Sequence, residues 1–120
     1  MQVERGRRWE AAAAEHLERH GLTILARGYR CRLGELDLVC REGAMLVVVE
    51  VRARATTPYG PAVSTIGPRK RARIIQATRH LLMRHAEWAT ARIRFDVVTF
   101  DAIETAVPAI RWIKNAFDAS

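Results

Sequence analysis

The stretch GELDLVCREGAMLVVVEVRAR, residues 34–54, decides the fold. Two strand-like runs, 34–41 and 45–54, flank a turn. The unbroken apolar run Leu46 to Val49 predicts a central strand covered on both faces. Into this hairpin the chain places Glu35, Asp37, Glu50 and Arg52. A two-residue turn at Glu42-Gly43 sets Asp37 opposite Val48 and Glu35 opposite Glu50. A four-residue loop gives the same register, and a three-residue turn breaks it. Directly opposed residues share a face. All four charged residues therefore point one way, and Leu36, Leu38, Cys40, Val47, Val49 and Val51 point the other.

Carboxylates on adjacent strands repel, and burial raises the cost. Arg52 offsets part of that repulsion. A divalent cation would offset the rest, because hard ions such as Mg²⁺ take one or two carboxylates together with phosphate oxygens and water. Two readings of these residues stand at this point: a metal site, or an arginine–carboxylate network on a solvated sheet face.

Outward from the hairpin, residues 3–20 read as a helix. Trp9, Ala13 and Leu17 recur at four-residue spacing, and Gly21 sits where a helix-ending glycine belongs. Glu10 lies one position from that stripe and can reach toward the sheet. It would equally suit the surface near a helix N-terminus. Residues 22–31 form a first strand. The segment 56–68, with Pro58, Gly60, Pro61 and Gly67, reads as a loop. Pro68 then opens a second helix at its first position, running to about His85. Its inward stripe is Ile74, Ile75, Thr78, Leu81, Leu82 and His85. Residues 94–101 alternate as a fourth strand, 109–113 form a fifth, and 114–120 are expected as a short helical turn or a frayed end. The order α-β-β-β-α-β-β predicts an α/β fold, a mixed central sheet flanked by helices, in one domain over 1–120.

The formal net charge is +7, a balance that attracts polyanions and nucleic acid above all. Its location is more telling than its size. Arg69, Lys70, Arg71 and Arg73 crowd the start of the second helix, where the dipole prefers acids. Phosphate binding explains that choice, since exposed N–H groups and cations at one helix end make an anion site. Arg79, His80 and Arg84 can extend the basic surface, as can Arg5, Arg7 and Arg8.

Other classes are excluded. The run 44–49 is too short to span a bilayer, and the charged start MQVERGRRWE lacks an apolar signal core, so a cytoplasmic protein is expected. Cys31 and Cys40 match neither CxxC redox spacing nor a zinc knuckle, and read as small buried hydrophobes. His16, His20, His80 and His85 show no ligand spacing with the acids. No Walker A loop, GxGxxG or GxSxG occurs.

Five ordered segments now carry a resemblance: GRRWEAAAAEHLERHGLTIL, RLGELDLVCREGAMLVVVEVRAR, YGPAVSTIGPRKRARI, RFDVVTF and WIKNAF. Together, over residues 6–117, they resemble the YraN family, also called UPF0102. That family is similar to Holliday junction resolvases and to the PD-(D/E)XK, restriction-endonuclease-like fold. The resemblance implies a Mg²⁺- or Mn²⁺-dependent endonuclease acting on DNA, branched DNA included, and a homodimer, since resolvases cut two strands symmetrically. By position, the helix acid of that nuclease motif matches Glu10 and the metal-binding acid of the second strand matches Asp37. The E-x-K element matches Glu50-Val51-Arg52. Lys70 falls in the family's basic segment, and Glu35 in its GE(I/L)D signature.

Arg52 stands where the nuclease motif has Lys. Arginine stays protonated and cannot serve as a general base, although it can stabilise charge or orient water. A second reading therefore stays open: a nucleic-acid-binding module with the nuclease fold and no catalysis. A third, a scaffold that docks a protein through Trp112 and Phe117, has less behind it, since core packing explains those aromatics.

Overall fold

The computed structural model describes residues 2–56 and 66–119, with side chains from Arg7 onward. Residues 57–65 of the expected loop lie outside the described residues. Helix α1, Gln2–Arg19, leads into strands β1 (Thr23–Cys31), β2 (Gly34–Glu42) and β3 (Met45–Ala53). Helix α2, Pro68–Arg84, and a single 3-10 turn, Ala86–Trp88, precede β4 (Ile93–Asp101) and β5 (Ala109–Phe117). The order matches the expectation, and the fold is α/β. No described helix is long and apolar enough to cross a membrane.

The five strands form one mixed sheet in chain order, β1-β2-β3-β4-β5. Only β3 and β4 run parallel, which requires the crossover that contains α2. One helix covers each face. Leu46 and Val48 of β3 enter the cluster under α2, with Val39, Ile74, Ala77, Leu81, Phe95 and Val97. Val47 and Val49 enter the cluster under α1, with Ala13, Ala14, Leu17, Leu38, Cys40, Val98 and Phe100. That division explains the unbroken apolar run: a central strand between two helices has no wet face.

Helix α1 ends in a Schellman motif. Leu22 N–H donates to the Leu17 carbonyl at 3.1 Å and Gly21 N–H to the Glu18 carbonyl at 3.1 Å. Leu22 and Leu17 then meet in the same cluster, the hydrophobic contact that accompanies this cap. Helix α2 opens as expected, with Pro68 in its first turn after the N-cap Gly67. The inward stripe also contains Ala77, which the sequence reading omitted, and its buried residues are Ile74, Ala77, Thr78 and Leu81.

Three expectations need correction. The hairpin turn is Gly43-Ala44, with Glu42 paired to Met45, so the register is two residues from the expected one. Gly43 has φ +59°, a left-handed conformation that tight hairpins demand at the first turn position and glycine adopts without a Cβ clash. The second correction concerns Leu36. It packs under α2, although Leu38, two residues on, packs under α1. Strict alternation fails at Asp37, where β2 leaves the β3 ladder.

The third correction is the C-terminal end, which is neither helical nor frayed: β5 continues to Phe117. A bulge separates the pairs Phe95↔Phe117 and Val97↔Ile113, and Asn115 sits at φ +54° within it. Asp96, fully buried in β4, holds the bulge. Its Oδ1 accepts the Asn115 backbone N–H at 2.9 Å and its Oδ2 accepts Trp112 Nε1 at 2.9 Å. Arg94 adds a two-pronged pairing to the same carboxylate at 2.8 and 2.9 Å and reaches Glu42 at 2.8 Å. These bonds hold the Arg94 guanidinium firmly charged. Phe117 stacks on Phe95 with ring centroids 4.8 Å apart, so the chain end belongs to the core.

Candidate functional site

The corrected register brings Asp37 level with Glu50. The backbone pairing of β2 with β3 ends at Leu38↔Val49, and beyond it the two carboxylates bridge the strands. Val51 N–H donates to Asp37 Oδ2 at 2.9 Å, and Asp37 N–H donates to Glu50 Oε2 at 3.4 Å. Each acid thus takes up a backbone donor that the opening ladder would otherwise leave unpaired. β3 still pairs with β4 through Ala53, so β2 is the strand that peels away.

The acids line a cavity of about 820 Å³ that also holds Arg30, Glu35, Arg69, Lys70 and Arg73. Glu50 is only 2% exposed, while Asp37 is partly buried. Burial, and then the Asp37 charge, push the Glu50 carboxyl up to about 8; Lys70 offsets part of this. Burial likewise raises Asp37, against the Val51 N–H and the Lys70 cation. Such a pair has more negative charge than its surroundings offset, which favours protonation of one of the two acids.

Glu10 belongs to the same field. Burial raises its carboxyl first, then the charges of Asp37 and Glu35, with Arg30 and Arg7 acting the other way. It does not converge with the pair: among the described residues no group of three or more His, Cys, Asp or Glu side chains is close enough to hold a metal ion. Asp37 and Glu50 are brought together, and Glu10 stands near them.

The cation beside the pair comes from an unexpected element. Lys70, in the first turn of α2, places Nζ 3.8 Å from Glu50 Oε1. Arg52 is partly buried on β3 level with Thr99 of β4, and it does not line the cavity. Of the four cations expected at the α2 start, Arg69, Lys70 and Arg73 line the cavity and Arg71 does not. The helix start carries no acid in its first turn and no side-chain cap. Gly67 at the N-cap has no side chain to accept from the first N–H groups.

Two features of the site escaped the sequence reading. Arg30 of β1 joins the cavity and pairs with Glu35 at 3.4 Å across the β1–β2 ladder. Its only signal was its place two residues before the Arg32-Leu33 turn. The other is Gly34. A Cβ there would lie 2.9 Å from the Arg73 carbonyl oxygen, so the hairpin end is pressed directly against α2. Tyr29 also hydrogen-bonds His80 of α2, which makes that histidine a tie between layers. Cys40 is buried as expected, but Cys31 lines the cavity; both are free thiols.

The family described as "Uncharacterised protein family UPF0102" matches residues 9–100. A UPF0102 protein of Pseudomonas aeruginosa (strain LESB58) is 44% identical over 117 residues, covering 97% of this chain and 94% of that protein. One from Ectopseudomonas mendocina is 45% identical over 115 residues, covering 95% and 94%. Another, from Legionella pneumophila, is 40% identical over 119 residues, covering 99% and 98%.

Proposed function

The chain belongs to the UPF0102 family, and from that premise we propose that it is a metal-dependent nuclease acting on the phosphodiester bonds of DNA, branched DNA included. The observation that carries the reading is the Asp37–Glu50 pair, bridged across a strand fork beneath the cations Arg30, Arg69, Lys70 and Arg73.

The donor set fits Mg²⁺ or Mn²⁺. Both acids are hard oxygen ligands, and each has one oxygen engaged by a backbone N–H; Asp37 Oδ1 and Glu50 Oε1, the latter 3.8 Å from Lys70 Nζ, are the atoms that would hold a cation. Mg²⁺ needs no more than one or two carboxylates when phosphate and water complete its shell. The bound ion would supply Lewis acidity and a lowered pKa for water. In this reading Asp37 and Glu50 hold the ion, and Glu10 adds charge directly or through water. Arg69 and Arg73 grip the phosphodiester backbone, with the uncapped α2 N-terminus behind them. Arg52, outside the cavity lining, supplies no base chemistry. A homodimer is part of the proposal, because one copy carries one acid pair and a symmetric cut needs two.

Cleavage assays on junction, flap and linear DNA with Mg²⁺ or Mn²⁺ test this. The expected result is cleavage by the wild type and at least a hundredfold loss, on the order expected for a catalytic group, in Asp37→Ala and Glu50→Ala. No cleavage, or equal cleavage by the variants, removes the enzymatic reading.

Arg52 in place of lysine favours a second reading, a nucleic-acid-binding module without catalysis. It predicts salt-sensitive binding with no metal dependence. Calorimetric titration with Mg²⁺ and Mn²⁺ separates the two, since a module without a metal site gives no heat of binding.

A further inference from the structure

We infer that Lys70 is the resident counter-ion of the Asp37–Glu50 pair, and that it moves to the nucleic-acid phosphate when a divalent cation takes its place. The inference rests on the proposed function and adds a positioning residue to it.

Geometry supplies the first argument. Lys70 Nζ lies 3.8 Å from Glu50 Oε1, the oxygen of that carboxylate not engaged by the Asp37 N–H. A cation held by Glu50 through Oε1 must therefore take the position that the ammonium now neutralises. An ammonium and a divalent ion at the same carboxylate oxygen repel, because like charges a few ångströms apart are poorly screened where water is excluded. An ion bound at Glu50 Oε1 would displace the Lys70 ammonium from it.

Burial shows where it goes. The Glu50 side chain is 3% exposed and that of Lys70 is 58% exposed, so the carboxylate forms the floor and the ammonium the mouth. Arg69 and Arg73 line the same mouth. A swing of the lysine stem away from Glu50 leaves it among the groups suited to phosphate.

Residue choice is the third argument. Eighteen of the twenty basic residues are arginine, and the other lysine is Lys114. At the cavity cation that touches the acid pair, the chain has lysine among arginines. An arginine fork would hold a carboxylate through two parallel bonds. Lysine is a hydrated point charge on a flexible stem, and at 3.8 Å from Glu50 it offsets the charge of the acid pair without a close hydrogen bond. A counter-ion that must leave is better built from lysine.

The test measures two affinities in three variants of the full chain. Mn²⁺ binding is followed by calorimetry, and binding of a fluorescent DNA duplex is followed both in metal-free buffer and with saturating Mn²⁺. Lys70→Met is expected to bind Mn²⁺ about five- to tenfold more tightly, the size of a half-exposed charge contact, and to lose DNA affinity chiefly when Mn²⁺ is bound. Lys70→Arg should bind Mn²⁺ more weakly than the wild type, because the fork holds Glu50 harder. Arg73→Met should lose DNA affinity with a much smaller change toward Mn²⁺. Tighter Mn²⁺ binding together with a DNA loss that appears only with Mn²⁺ bound, at residue 70 alone, is the signature, which a residue that grips phosphate with or without metal would not give. Unchanged Mn²⁺ affinity in Lys70→Met, or equal shifts in Lys70→Met and Arg73→Met, overturns the exchange and leaves the nuclease reading intact. A wild-type protein that takes up no Mn²⁺ overturns both.

Discussion

Glu50 is held where its charge is disfavoured. Its carboxyl titrates near 8 against an ordinary 4.5, because it is buried and faces Asp37. The folded chain thus binds this proton more tightly than the unfolded chain does. The stabilisation is complete below the unfolded value and is lost as pH rises through the folded one. Stability should fall from about pH 5 to pH 8, with a slope from this proton of at most about 1.4 kcal/mol per pH unit. Glu50→Gln should match the wild type at pH 5 and exceed it increasingly toward pH 8 in urea unfolding. Parallel curves for the two proteins would refute the assignment. The same proton must leave before a metal binds, so Mn²⁺ affinity should rise across that range.

At the scale of elements, the site depends on two contacts between α2 and the hairpin. One is the apolar seam of Ile74, Ala77 and Leu81 against Leu36 and Val39. The other is the close approach at Gly34, where no side chain fits beneath the Arg73 carbonyl. Gly34→Ala should cost about 1–3 kcal/mol, because backbone must move to admit the methyl group. It should also weaken DNA binding, since it pushes the helix carrying Arg69, Lys70 and Arg73 off the strand carrying Asp37. Thermal melts and a binding titration on the same sample check both halves; unaltered stability would mean that α2 is not seated as described. The β5 extension is another product of inter-element contact. Residues 114–117 have no strong strand pattern of their own. They are drawn into the sheet by the buried Asp96 carboxylate and by Phe95.

The whole molecule combines a net charge of +7 with an acidic cavity floor. In the proposed reading the basic groups at the rim would meet the phosphate backbone, and the floor would hold a cation. DNA binding should weaken steeply with salt. Replacing Arg69, Lys70 and Arg73 together by Gln should reduce the slope of log affinity against log salt by about two to three, near one per lost phosphate contact. An unchanged slope would place the interface elsewhere on the surface.

The sequence by itself determined the α/β order, the central position of β3 and the shared side of Asp37 and Glu50. Those features depend on local periodicity: an apolar run with no polar alternate, a proline opening a helix, and a parity that survives any even shift. Only the tertiary structure decided the rest. The register hinged on which residue of the turn adopts a left-handed φ, and Gly43 did. The partner of Glu50 hinged on how helix α2 lies across the sheet. Packing of its apolar stripe brought Lys70, eighteen positions beyond Arg52 in the chain, to the acid pair, while Arg52 on the neighbouring strand position does not line the cavity. Sequence spacing encodes which face of an element a side chain occupies. Which two elements meet there is set by the burial of apolar surface common to both.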